Sequence, residues 1–200
     1  MQITVLKNYA KLLARMGLNV QRGQEVVITA ELDQPEFVAY CVEECYRAGA
    51  SKVQVEWAHQ PISRLGAEHK SEEVLGEMPG WKEEKLRCQV RELPARLYLE
   101  SDDPDGLNGI DAEKYARAMQ ARHKIVKPYR DKMENKSQWC IAAVPGKAWA
   151  KKVFPKMPAT AAEEKLWRAI LTSARSYEGN PIANWQGHNR VLEGRCADLK

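Results

Sequence analysis

SQWCIAAVPGKAWAKKVFP, residues 137–155, is the stretch on which the reading of this chain turns. Trp139, Cys140, Ile141, Ala142, Ala143 and Val144 form a short apolar run, bounded by polar residues on one side and Pro145-Gly146 on the other. A run of that length and composition predicts a strand covered on both faces, and strands covered that way belong to parallel sheets. The residues that follow, from Lys147, predict a basic, Trp-bearing helical turn stopped by Phe154-Pro155.

Three more strands are expected upstream: Glu25–Ala30, Lys52–Trp57 and Ala95–Ser101. Helical sequence separates each from the next. Pro35–Ala48 carries Val38, Cys41, Val42 and Cys45 at helical spacing, and Gly49 stands where a helix takes its left-handed cap. Strand, helix and strand within about 30 residues make a βαβ unit, whose crossover is right-handed. Ser71 is an expected N-cap, a helix follows Trp81, and Asp111 caps the longest helix, Ala112 to about Asn135, with Pro128 set to kink it. Thr160–Glu163 reads as a capping box opening a helix that buries Leu166, Trp167, Ile170, Leu171 and Ala174. Asn180-Pro181 ends it, and a last helix through Trp185 and Leu192 runs to the end.

The expected architecture is therefore an α/β fold: a mainly parallel sheet of four or five strands with helices on both faces, then a helical C-terminal segment. The expected division is an α/β domain over 1–157 and a helical segment over 158–200. Val191–Lys200 looks like the middle of a helix, with no Gly or Pro stop after Gly194 and no polar tail, so the chain reads as a fragment.

Two hundred residues, 44% hydrophobic and 29% charged, suit a globular chain rather than a disordered one. The net charge of +4 conceals an uneven distribution, because residues 112–156 are strongly basic and the remainder of the chain taken together is acidic. No apolar run reaches the roughly 18 residues needed to span a bilayer, and no signal-peptide core opens the chain, so neither a membrane nor secretion is expected. The first 24 residues hold four basic side chains and no acid, yet Ile3, Leu6, Tyr9, Leu13 and Met16 lie on a core-facing helical stripe rather than a presequence. Five cysteines, an odd number in a chain large enough to build its own core, point to a reducing cytoplasm.

Motifs for chemistry mostly fail on inspection. A phosphate loop at Gly146-Lys147 would require glycine at Ile141 and Ser or Thr at Ala148. The aspartates of DDPDGLNGID, Asp102–Asp111, lack calcium-loop spacing and suit a turn and helix start. The four histidines, His59, His69, His123 and His188, do not pair at metal-ligand spacing. The lysines and arginines of the basic centre spread widely around their helix, as a solvated face does, so nucleic acid is not an expected partner.

Five segments taken in order, YAKLLARMGLNVQRGQ (Tyr9–Gln24), YRAGASKVQVEW (Tyr46–Trp57), LNGIDAEKYARAMQARHKIVKPYR (Leu107–Arg130), SQWCIAAVPGKAWAKKVFP (Ser137–Pro155) and EEKLWRAI (Glu163–Ile170), resemble the N-terminal half of the thermophilic-type metalloaminopeptidases, the aminopeptidase S, T and II group. The resemblance implies a cytoplasmic, homodimeric exopeptidase that removes N-terminal residues from peptides. It also implies two divalent ions, zinc or cobalt, held by a C-terminal catalytic domain, with no ligand and no catalytic residue carried by these 200 residues. The chain would then supply a scaffold and cleft wall, partnered by its own C-terminal domain and a peptide substrate, and would be inactive alone. Within it, Asp102, Asp103 and Asp105 are the candidate residues for orienting a cationic peptide terminus or docking the second domain. The alternative is a free-standing α/β binding module without peptidase activity.

Overall fold

The computed structural model describes residues 1–199. Its centre is a sheet of four strands, β1 (Glu25–Glu31), β2 (Lys52–Ala58), β3 (Ala95–Glu100) and β4 (Trp139–Ala143), in the order β2-β1-β3-β4. Every pairing is parallel: Val26 lies beside Val53 on one side and Ala95 on the other, and Leu97 beside Cys140. The expected strands are thus all present, with boundaries shifted by a residue or two.

Nine α-helices connect and flank the strands among the described residues: α1 (Ile3–Leu12), α2 (Pro35–Ala48), α3 (Gln60–His69), α4 (Glu72–Gly76), α5 (Gly80–Glu92), α6 (Ala112–Met133), α7 (Lys147–Val153), α8 (Ala159–Ser173) and α9 (Pro181–Asp198). A π-helical turn, Leu13–Gly17, extends α1. α2 has the predicted boundaries, with Pro35 in its first turn and Gly49 beyond its end at φ 109°. A Cβ on Gly49 would stand 3.2 Å from the Arg22 Cα, so both conformation and space favour glycine there. Ser71 and Asp111 cap as expected, accepting from the Val74 and Lys114 N–H groups at 3.3 and 2.9 Å. Asn180 caps α9 through the Ile182 and Ala183 N–H groups; the expected course of that helix to Lys200 passes outside the described residues at its last position.

Two expectations change. α8 starts at Ala159 with Pro158 as its N-cap residue, so Thr160 already lies within the helix and forms no capping box. The Glu163 carboxylate instead accepts from Gln34 Nε2, which also donates to the Pro145 carbonyl, tying α8 to the start of α2 and the end of β4. The second change concerns β4. Ala142 is buried, but Trp139 and Ile141 are 63% and 59% exposed, so this strand is covered on one face only.

The two sides of the sheet differ in kind. One carries Val26, Ile28, Ala30, Ala95, Leu97, Leu99 and Ala142 into a continuous apolar core with α1, the π-turn, α2 and α8. Phe37 is its hub, stacked on Tyr9 at 5.5 Å between ring centroids and meeting Trp167 edge-on at 5.2 Å. Cys41 and Cys45 are unpaired and buried in this layer as small hydrophobes, and burial pushes the Cys45 thiol up to about 12. α8 lies beyond residue 157, yet Trp167 and Leu171 belong to this same core. The opposite side meets α5 and α6 through polar contacts, Lys85 to Glu56 at 2.7 Å and Arg96 Nη2 to Gln89 Oε1 at 3.0 Å, and α5 buries no residue completely.

Removing the hub should unlink three helices at once. Phe37→Ala is expected to lose about 3–5 kcal/mol of unfolding free energy, read from the midpoint of a urea titration. Ile62→Ala, on the exposed side of α3, should stay within about 0.5 kcal/mol of the parent.

Candidate functional site

The strand order creates one place where chain connections diverge. From β1 the chain moves through α2 to β2 on one side; it then returns through α3, α4 and α5 to β3 on the other side. The carboxyl ends of β1 and β3 therefore stand side by side while their connections leave in opposite directions, which opens a crevice between the loops. Ligands of open parallel sheets bind at such a switch point.

A cleft of about 380 Å³ occupies this position. Its walls come from the four loops that the sequence places at the carboxyl edge: Glu31 and Asp33 after β1, His59 and Gln60 after β2, Ser101 to Gly106 after β3, and Gly146 with Ala148 after β4. Larger grooves of about 760 and 880 Å³ lie elsewhere, the first along β2 and α5 and the second between the N-terminus and α8. Neither joins loops from more than one crossover at the strand ends.

Backbone geometry holds the cleft together. The Gln60 N–H, at the start of α3, donates to Glu31 Oε2 at 2.9 Å, which fixes that carboxylate at the helix N-terminus. The Gln60 side chain then reaches across to the β3 loop, donating to the Asp103 carbonyl at 3.0 Å and accepting from the Asp103 N–H at 2.9 Å. Arg64, one turn along α3, donates to the Gly106 and Asn108 carbonyls at 3.0 and 2.8 Å. Buried Ser101 donates to Asp33 Oδ2 at 2.9 Å and joins the ends of β1 and β3 directly. Gly146 completes the wall: a Cβ there would lie 2.5 Å from the Ser101 carbonyl and 3.2 Å from Asp33 Oδ2.

The three sequence-selected aspartates have separate situations. Asp105 accepts from Lys152 Nζ at 2.6 Å and from Asn108 Nδ2 at 3.0 Å, and the lysine holds its carboxyl below the ordinary aspartate range. Asp103 accepts the Asp105 N–H at 3.0 Å and organises the turn. Asp102 is exposed and faces the carboxylates of the β1 end. Burial raises the Glu31 carboxyl, and the neighbouring charges of Asp102 and Asp33 raise it further, against the opposing Gln60 N–H. The negative focus of the cleft is therefore Glu31, Asp33 and Asp102, with Asp103 and Asp105 supporting the loop.

Glu31 and Asp33, at the end of β1, are not among the residues the sequence singles out, because nothing local marks a strand-end glutamate as charged and confined. α3 also went unassigned, although Pro61 after an extended His59 is a helix-start signal. Among the described residues, no group of three His, Cys, Asp or Glu side chains lies together in a way that could hold a metal ion.

Comparison with known proteins extends over nearly the whole chain. The profile of the thermophilic metalloprotease (M29) family matches residues 3–200. Aminopeptidase T of Thermus thermophilus is 36% identical over 195 residues, 97% of this chain and 48% of that protein. Aminopeptidase PepS of Streptococcus thermophilus is 34% identical over 196 residues, and aminopeptidase AmpS of Bacillus subtilis 32% over 195, each again with 48% of its length covered. The solved structure of wild-type AmpT from Thermus thermophilus superposes with a TM-score of 0.82 at 35% identity, over 94% of this chain and 46% of that one. The chain spans about half the length of the relatives it matches.

Two substitutions probe the cleft. Gly146→Ala should destabilise by about 1–3 kcal/mol, because the obstructing atom is a backbone carbonyl that cannot rotate away; denaturant unfolding measures it. Glu31→Gln keeps an acceptor for the Gln60 N–H and removes a confined charge. A carboxyl whose pKa is raised by folding weakens the native state once pH rises above its unfolded value. The variant should therefore melt higher than the parent at pH 7, and the two Tm values should converge as pH falls through the carboxylate range.

Proposed function

The chain belongs to the thermophilic metalloprotease (M29) family, and from that membership we propose that it is the N-terminal portion of a cytoplasmic aminopeptidase, forming the wall of a substrate cleft. The observation that carries the reading is the continuous similarity to aminopeptidases T, PepS and AmpS over 97% of the chain, on the same fold. In the complete enzyme, two divalent ions, zinc or cobalt, supply Lewis acidity and an activated water. The side chains described here do not fit such a centre, since among the described residues no group of three His, Cys, Asp or Glu side chains is arranged so that it could hold a metal ion. No step of bond cleavage is assigned to them.

What they can do is position. A peptide with a free amino terminus presents an ammonium group, and the carboxylates of Glu31, Asp33 and Asp102 form a concentrated negative charge at the strand ends. Opposite charge at that spacing attracts the terminus and orients the peptide. The link between Asp105 and Lys152 fixes the loop that bears Asp102, so the approach is set by a closed turn and not by a mobile one. The same carboxyl edge is the surface on which a C-terminal domain would close the cleft, and the assembled enzyme is proposed to be a homodimer.

Activity of the isolated chain tests the division of labour. The purified 200-residue protein with added zinc or cobalt should release no product from an aminoacyl p-nitroanilide, whereas the protein expressed from its uninterrupted gene should. Turnover by the short chain would sink the proposal, as would a long form without turnover, which favours a binding module. In the active long form, Asp102→Asn should raise KM by about 3- to 10-fold with little change in kcat, and Asp103→Asn and Asp105→Asn should act more weakly through the turn. Equal kinetics in all three variants would remove the cleft from substrate recognition.

A further inference from the structure

Where α3, α5 and α6 come together, the charges do not balance. The nearby carboxylates are each engaged by a cation outside the group in question: Glu56 by Lys85, Glu68 by Arg64, Glu72 by Arg117 and Glu83 by Arg87. Lys70 after α3, Lys82 in the first turn of α5 and Arg122 within α6 form no ion pair among the described residues. Arg122 Nη2 donates to the Glu77 backbone carbonyl at 3.1 Å, which pins the guanidinium, while its Nε is buried without an acceptor. Lys82 stands amid these charges. Burial, and then the charges of Arg122, Lys70 and Lys85, hold its ammonium below the ordinary lysine range.

The start of α5 adds to the same positive field. Pro79 is the N-cap residue and supplies no side-chain acceptor, so the Gly80 and Trp81 N–H groups leave the helix end unpaired. A Cβ on Gly80 would meet nothing within 4 Å, so the approach is open. The acid of this turn, Glu83, is occupied by Arg87 and by the Tyr129 hydroxyl. Like charges gathered by three separate helices repel one another, and a shared anion relieves that repulsion.

We propose that Lys70, Lys82, Arg122 and the first turn of α5 bind a phosphate group, as the free ion or as the phosphomonoester of a small molecule. Three cations and a helix end converging from different elements suit a dianion with several acceptor oxygens better than a single carboxylate. Arg122, already held through Nη2, contributes a fixed guanidinium, and the lysines contribute mobile point charges. Trp81 is 68% exposed and carries Lys82 Nζ 5.3 Å from its ring centroid, so its flat ring can receive the organic part of an ester. None of these residues lines the cleft at the strand ends, and the site does not rest on the peptidase reading.

Isothermal titration of the 200-residue chain with sodium phosphate near neutral pH, at an ionic strength held constant with sodium chloride, tests the site without any assay of activity. The parent should bind with a Kd of about 1 mM or below, and its Tm should rise by about 2–5 °C at saturating phosphate. Lys82→Gln and Lys70→Gln should keep the parent's circular dichroism and each weaken binding by about fivefold or more. Adenosine monophosphate binding more tightly than phosphate, with the difference lost in Trp81→Ala, assigns the ester; equal or weaker binding assigns the free ion. A parent that binds neither compound at constant ionic strength, or undiminished binding in either lysine variant, would overturn the proposal.

Discussion

The contact of Phe37 with Tyr9 and Trp167 joins three parts of the chain that are far apart in sequence. Tyr9 lies in the first helix, Phe37 in the first crossover and Trp167 in the helix after the last strand. Their rings fill the space over the apolar side of the sheet, where Ile28 and Leu97 are completely buried. Burying large aromatic side chains contributes heavily to stability, and ring geometry adds orientation that aliphatic packing lacks. With that side closed, the sheet has a rigid base from which its carboxyl-end loops project.

Everything at the cleft follows from the direction of the connections. A crossover leaving β1 one way and a return to β3 the other way make the ends of these two strands neighbours without a covering loop between them. Ser101 and Asp33 bridge the gap, Gly146 permits the β4 loop to approach the same carbonyl, and Gln60 spans from Glu31 to Asp103. Burial at that point, together with the neighbouring charges of Asp102 and Asp33, raises the proton affinity of Glu31. The charge focus is a product of topology, since Glu31 and Asp102 are separated by most of the first two crossovers.

The two faces of the sheet carry different duties. The α1, α2 and α8 side is dry and supplies cohesion. The α5 and α6 side is held by ion pairs and hydrogen bonds, which contribute modestly when exposed, and it leaves the β4 edge open. A domain with one firm face and one polar face can keep its core intact while presenting surface for assembly, consistent with a chain that covers about half of its aminopeptidase relatives.

Local patterns predict the four strands, the limits of α2 and the caps at Ser71 and Asp111, because these depend on period and turn chemistry within short windows, and the family is legible from the resemblance of five segments taken in order. The rim loops were legible for the same reason, as the ends of predicted strands. Other features were not legible. The apolar run of β4 gave no sign that Trp139 and Ile141 lie outside, since one-sided and two-sided cover produce the same short run when the strand sits at an edge. Thr160 and Glu163 had the spacing of a capping box, but Gln34 and the Pro158 start redirected Glu163 to a distant partner. The sequence by itself determined the four strands, most of the helices and the family that the chain resembles. Only the tertiary structure decided that β1 lies between β2 and β3, and therefore that Glu31, Asp33 and Asp102 share one cleft, because strand order is set by packing between segments far apart in the chain.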